Sequence, residues 1–528
     1  MSTNATRKLA RGGALNFIGL VYYGLANLVL VVVISRELGP SSAGVLLTTI
    51  AVFNIVQRAL LLGADLGLVR TISRWLAVGR RRDVEHLWTP VGVPLVFLSL
   101  VAGAAIWTWA EPLARLVGDR DIALTAQLRA VAPILPCAVI YQALEAASRG
   151  YGTFFPSFVV EKVGKVTLQL GAVGFLASQN ARPRYLALGW ALPFVLGAVV
   201  LFVWVQVLQR NSRGEHRVHG DDDLVPEATM GRVAGEFWRF SAPRAPAGVF
   251  QSAQLWSDSV LVGALAAGAT ASGSTTAAGI YSAGTRFLII ASFVQLAIGQ
   301  ALQPLISAAL ARRDDGTAQS VFQASTGWTV LFTWPVLIGI MGFAPALLGI
   351  YGDEYRAASS ALVVLGAAWL VATGCGAVDS VLLMSGRSAM TTINSGVAVA
   401  LNISLSFLLI PDHGMLGAAI AWGVSLVWNN VMPLLQVRHY LHMAPWGPSM
   451  RRVIVPLAAY SAVIVGARAA FGATLIVAAG AAVVGLIVFV ALVRPRRDAL
   501  QLAELAAGLR RRRTPGANAV TQSDAARD

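Results

Sequence analysis

Long apolar stretches alternate with short polar or basic ones along the whole chain. Runs such as 14–34 and 471–493 are built of Leu, Val, Ala and Gly with few polar breaks. A helix rising about 1.5 Å per residue crosses roughly 30 Å of hydrocarbon with about 20 such residues. The runs lack the period-two alternation of a membrane-spanning strand, so each predicts a helix. About 14 spans follow, near 13–35, 44–64, 88–109, 128–148, 158–178, 186–208, 243–266, 278–303, 323–345, 359–384, 389–410, 414–436, 452–470 and 472–493. Composition agrees. Of 528 residues, 56% are hydrophobic and only 13% charged, against roughly 25% charged in soluble domains. The expected class is an all-α polytopic membrane protein.

Charge sets an expected orientation. The net charge is +15, and the basic residues fall between apolar runs, a pattern that sets topology rather than binding nucleic acid. With the N-terminus inside, the inner segments hold Arg7, Lys8, Arg11, Arg80 to Arg82, Arg149, Lys162 and Lys165, and later Arg210 to Arg239, Arg312, Arg313 and Arg494 to Arg513. The outer loops hold several-fold fewer and show Glu111, Asp119, Asp353 and Glu354. Both termini are therefore expected in the cytoplasm. Anionic membrane lipids are the expected surface partner of the basic segments. The two cysteines, Cys137 and Cys375, lie inside apolar runs and make no disulfide framework. The N-terminus leads into a run longer than a signal peptide's and is read as an uncleaved first span.

The longest polar interval between runs divides the chain. It contains His216, His219 and Asp221 to Asp223, then a basic, aromatic stretch from Met230 to Phe240. The expected organisation is a six-helix lobe over 1–210 and a cytoplasmic linker with an interfacial helix over 211–242. A second six-helix lobe covers 243–440, and two further spans cover 441–497. A tail over 498–528 is expected to be amphipathic where Leu502, Leu505 and Leu509 share a face, then disordered.

Polar residues inside the runs form stripes. In span 1, Asn16, Tyr23 and Asn27 share one helical face, and in span 2 Asn54 and Arg58 do. In span 7, Gln251, Gln254 and Asp258 share a face; in span 8, Arg286, Phe293 and Gln300 do. The two halves thus open alike, as in transporters built from repeats. Interhelical hydrogen bonding accounts for one stripe; four at matching positions favour a shared aqueous cavity. From the outer face, Arg286 lies roughly 10 Å deep and Arg58 roughly 20 Å. Arg58 has snorkelling to inner headgroups as an alternative, and Arg286 has a structural pair with Asp258. Glu145 precedes Arg149 by four residues, which suits a local helix pair as well as a cavity role. Asp65 reads as part of a turn, and Asp379 as lying near the inner end of span 10.

The chemistry of an engine or enzyme is missing from the sequence. There is no GxxxxGK[ST], HExxH or CxxC, and the six histidines lie in or beside loops. No catalytic residue, cofactor or metal is expected.

Several segments resemble a known family. They are SRELGPSSAG at 35–44, LGADLGLVR at 62–70, DSVLVG at 258–263, AGIYSA at 278–283, LGIYGDEY at 348–355 and LNISLSFLLIPDHGMLGAAIA at 401–421. In this order and spacing they resemble the polysaccharide flippases of the multidrug/oligosaccharidyl-lipid/polysaccharide exporter superfamily. The resemblance spans about residues 10–440. It implies two six-helix lobes in a V around a cavity, two flanking C-terminal helices and alternating access. The implied substrate is a polyprenyl-diphosphate-linked glycan, moved from the inner to the outer leaflet of a bacterial inner membrane. Pathway glycosyltransferases and a polymerase are the implied protein partners. Arg58 and Arg286 would hold the diphosphate through charge-assisted hydrogen bonds, with Tyr23, Asn27, Asn54, Gln254 and Gln300 lining the site. Asp258 and Glu145 are the candidates for ion coupling. With only two deep arginines, cavity charge is expected to be sparse. Alternatives are a cation-coupled multidrug exporter or a lipid II flippase of the same superfamily; from another class, an enzyme or scaffold of polysaccharide assembly.

Overall fold

A computed structural model describes residues 3–116, 122–217, 229–266, 274–288 and 314–496, and between these last two 291–295, 298, 299, 302, 306, 309, 310 and 312. Among the described residues every regular element is a helix. Ten helices are long and apolar enough to cross a membrane. Two of these, Gly19–Leu60 with 42 residues and Ala389–Leu441 with 53, are each two crossings joined at a glycine. Two crossings of lower hydropathy complete the set. One is a π-helix, Ser157–Lys165, continuing into Val166–Ser178; the other is Ala245–Leu265. The total is the expected fourteen.

The hairpins follow from local sequence. Gly39 adopts φ 73°, ψ 169° ahead of Pro40, a backbone state that glycine alone takes cheaply. Gln57 after it bonds the helix Leu135–Gly150 directly, and Tyr23 before it approaches that helix through Lys165. Lys165 sits between the rings of Tyr23 and Tyr141, and Gln57 Nε2 donates to Ala138 O at 2.7 Å. The second hairpin turns at Gly414, φ 54° and ψ −129°. A Cβ on Gly417 would stand 2.3 Å from the Leu409 carbonyl oxygen, so the returning helix needs glycine there. Asn394 and Gln436 exchange amide hydrogen bonds of 2.8 and 3.1 Å across the pair.

Span 10, expected as one helix over 359–384, is broken into Ser359–Gly374 and Val378–Met384. Gly376 takes φ 75°, and Thr326 of span 9 fills the space its side chain would need. Trp446 Nε1 donates to the freed Gly374 carbonyl at 3.0 Å. Asp379 opens the shorter piece and is exposed.

We keep the orientation that the basic loops predict, so the Gly39 end is called outer and the Gly63 end inner. One hydrophobic core runs through both halves, from Leu46, Phe53 and Tyr141 to Val262, Tyr281 and Leu348. At the outer end the halves meet backbone to backbone. A Cβ on Gly44 would lie 1.8 Å from Thr275 O, and one on Gly279 would lie 2.3 Å from Pro40 O. Arg36 Nε donates to Ile350 O at 2.6 Å beside this contact. At the inner end the predicted interfacial helix is Met230–Ser241, with Val233 and Phe237 fully buried. It docks on the first half through Trp238 Nε1 to Pro90 O (3.0 Å) and an Arg80–Glu236 ion pair of 2.9 Å. The last two spans, Pro448–Phe471 and Leu475–Val493, share a separate apolar cluster with span 9. Arg468 Nη1 caps that span's Gly342 carbonyl at 2.9 Å. The expected amphipathic tail and the acidic run at 221–223 lie outside the described residues.

Candidate functional site

Span 8 starts as the α-helix Ser274–Thr285 and tightens to a 3-10 turn at Arg286–Leu288. The Arg286 guanidinium lies 4.5 Å over the ring of Trp256 on span 7. Its Nε is buried without a hydrogen-bond partner. Among the described residues Arg286 forms no ion pair, so the alternative pairing with Asp258 is set aside. The reason is helical phase. Trp256 and Asp258 are two residues apart, roughly 200° around the helix, and only one of them can face span 8's arginine. Asp258 instead accepts a 2.7 Å hydrogen bond from Asn402 Nδ2 of span 11 and is 4% exposed. Asn402 also reaches Ser257 Oγ at 3.4 Å.

Arg58 of span 2 has partners in its own half of the chain. Arg58 Nη1 is 3.2 Å from Asp65 Oδ2 and 3.3 Å from Gln142 Oε1. Asp65 is not in a turn but in the first turn of the helix Ala64–Ala77, where a carboxylate also suits the helix dipole. Arg58 is thus held at the inner end by its own lobe. The stripe amides are largely committed to their own helices: Asn27 Nδ2 donates to Tyr23 O at 3.0 Å, and Asn54 Nδ2 to Ile50 O at 2.7 Å. Gln254 is half-buried. Gln300 and the side chain of Asn16 lie outside the described residues.

Tyr23 leads to what the sequence reading passed over. Its ring stands 5.3 Å from Lys162 Nζ and 5.9 Å from Lys165 Nζ. Lys165 is 7% exposed, its ammonium also 5.2 Å from the Tyr141 ring and 4.7 Å from that of Phe194. Glu161 pairs with Lys162 at 3.0 Å. Ser157 Oγ lies 2.5 Å from Glu145 Oε1 and 3.4 Å from Glu161 Oε2, joining the two acids. Glu145 also meets Arg149 at 3.4 Å, the local pair that its spacing suggested. The first half therefore holds a buried ionic cluster besides the two deep arginines. The missed signal was Glu161 and Lys165 at i, i+4 near the start of span 5, a same-face pair. Their place beside a predicted inner loop made them look like topology charges.

No family model matches the chain. It is 24% identical over 438 residues to the probable low-salt glycan biosynthesis flippase Agl15 of Haloferax volcanii, covering 81% of this chain and 80% of that protein. Its fold is shared by the lipid II flippase MurJ in an inward closed conformation, at a TM-score of 0.71 and 11% identity over 92% of this chain and 99% of the other. An inward-facing multidrug resistance MATE family transporter of the MOP superfamily gives 0.62 at 15% identity, over 80% of this chain and 94% of that one.

Proposed function

We propose that this chain, a multi-pass membrane protein with the fold of the MOP-superfamily transporters and a sequence resembling their glycan flippases, translocates a lipid-linked oligosaccharide. The substrate class is a polyprenyl-diphosphate-linked glycan, carried from the inner to the outer leaflet for cell-surface polysaccharide assembly. The observation that carries the reading is Arg286. A guanidinium inside a membrane-spanning bundle is costly unless paired or placed in a wet cavity. This one has no carboxylate partner among the described residues and a buried free donor, while the nearby acid is engaged by Asn402. Stacked on Trp256, its plane is held while its in-plane N–H groups stay open to a phosphate. Tyr23, Gln254 and the amide oxygens of Asn27 and Asn54 offer hydrogen bonds to the sugar.

In this reading 1–210 and 243–440 are the two lobes, and the outer contact of Gly44 with Gly279 opens to release the glycan. Asp258 is the coupling acid, placed where a change in its charge alters its tie to span 11. Glu145 has a weaker claim because it sits in the ionic network of the first lobe. The Haloferax relative is archaeal, so the proposed location is the cell membrane, without choosing a bacterial one. Pathway glycosyltransferases and a polymerase are the proposed neighbours.

Depleting the protein and following the lipid-linked glycan by leaflet tests the reading. Accumulation in the inner leaflet is expected; an unchanged distribution between leaflets would remove it.

A further inference from the structure

The proposed function assigns the second lobe a cation, Arg286, but leaves the ionic cluster of the first lobe without a task. Three observations bear on it. First, its charges do not balance. Lys162 is matched by Glu161 at 3.0 Å and Arg149 by Glu145 at 3.4 Å. Lys165 forms no direct ion pair among the described residues; its ammonium stands beside the rings of Tyr23, Tyr141 and Phe194, and it shares the Glu161 carboxylate electrostatically with Lys162. Two buried lysines sharing one carboxylate leave a positive charge in excess, which an anion would balance. Second, the cluster reaches the seam between the lobes. Tyr23 of span 1 has its ring beside both lysines. The next residue, Gly24, has the Phe293 ring of span 8 seated where a Cβ would be. Third, the backbone is built for it. Ser157–Lys165 is a π-helix, a form that recurs at functional sites. Gly164 permits the wide turn, since a Cβ there would stand 2.9 Å from the Val159 carbonyl five residues back.

We propose that Lys162 and Lys165, with Tyr23, form a first-lobe anion subsite that grips one phosphate of the substrate while Arg286 grips the other, and that Glu161 is the internal counter-ion the bound anion displaces from Lys162. The inference rests on the reading above. The lysine pair beside Tyr23, in excess over Glu161, and Arg286, without an ion pair among the described residues, supply one surplus positive charge from each half, which suits a diphosphate diester with two negative charges. Binding would then pull both lobes onto one group. Displaced from Lys162, Glu161 remains next to the Ser157 hydroxyl that already touches Glu145, so occupancy rearranges the interior of the first lobe.

The test is equilibrium binding of geranylgeranyl diphosphate to the purified full-length chain in lipid nanodiscs, with geranylgeraniol as the control. Lys165→Met, Lys162→Met and Arg286→Met should each weaken diphosphate binding by about tenfold or more, the scale of one charge-assisted hydrogen bond. Geranylgeraniol binding should not change. Glu161→Gln should tighten diphosphate binding, an effect that a purely structural role would not produce. If both lysine variants bind like the parent while Arg286→Met is weakened, this inference fails and the flippase reading stands. If Arg286→Met also binds like the parent, or the parent binds no diphosphate, both fail. Should Lys165→Met not fold, as judged by its thermal transition, Glu161→Gln decides: unchanged or weakened affinity overturns the displacement.

Discussion

At Arg286 the protein keeps a buried guanidinium Nε without a hydrogen-bond partner. Its ring stacking with Trp256 favours a planar guanidinium over a compact ammonium, so Arg286→Lys is not a conservative change. Arg286→Ala is expected to cut glycan translocation by about tenfold or more, with Arg286→Lys recovering only part of it. The readout is the rate of lipid-linked glycan appearance in the outer leaflet of proteoliposomes. Arg58 is the contrast. It is part-exposed and already paired with Asp65, and such pairs contribute about 0–1 kcal/mol. Arg58→Ala should leave diphosphate binding within about twofold. At Asp258, the isosteric Asp258→Asn removes the titratable carboxyl that Asn402 now contacts. Translocation by that variant should lose its dependence on an imposed ion or proton gradient; a retained dependence would exclude Asp258 from coupling.

Among the elements, the interfacial helix Met230–Ser241 ties the second lobe to the first through a charge whose pH response can be worked out. Glu236 has its carboxyl held below the usual carboxylate range, chiefly by the hydrogen bond from Arg80, with the Arg80 and Arg232 charges adding to it. A lowered acid stabilises the docked form at pH values above its unfolded value, about 4.3. That contribution is lost as pH falls through the folded value. Amide exchange in 230–241 should therefore be slow at neutral pH and accelerate below about pH 4. Glu236→Gln should exchange faster than the parent at neutral pH and lose that contribution to the acid step. The hairpin glycines belong to the same scale. Gly414 at φ 54°, ψ −129° is open to glycine and strained for alanine, so Gly414→Ala is expected to cost about 1–3 kcal/mol and lower the thermal transition accordingly.

For the whole molecule, the decisive feature is that the lobes touch at the outer end through glycine. With Cys137 and Cys375 replaced by alanine, Ser41→Cys with Thr275→Cys would place thiols where hydroxyl oxygens now stand 3.5 Å apart. Oxidation should lock the outer contact and stop translocation, and reduction should restore it. Full activity in the cross-linked state would exclude opening at this seam. Spans 13 and 14 pack on span 9 through Val330, Leu457, Tyr460 and Phe489, in a cluster separate from the core that joins the lobes. Their attachment bears on the stability of the second lobe before it bears on substrate binding.

Fourteen crossings, the doubled first and last hairpins of the lobes and the expected class were all legible in sequence. The bilayer makes a span announce itself as about 20 apolar residues, and glycine marks the two hairpin turns at 39 and 414. The depth of Arg286 inside a span was legible too, because a charge inside such a run has few bland explanations. Partners were not. Periodicity assigns a residue to a face of its own helix, but not the neighbour that face meets. Asp258 could as readily have met Arg286 as Asn402 until span 7's phase was set against spans 8 and 11. Arg58 looked unpaired until Asp65, seven residues on, was folded back beside it. Lys165 looked like a topology charge because a lysine near a span's inner end is usually solvated. Only packing against Tyr23, Tyr141 and Phe194, from three other spans, buried it.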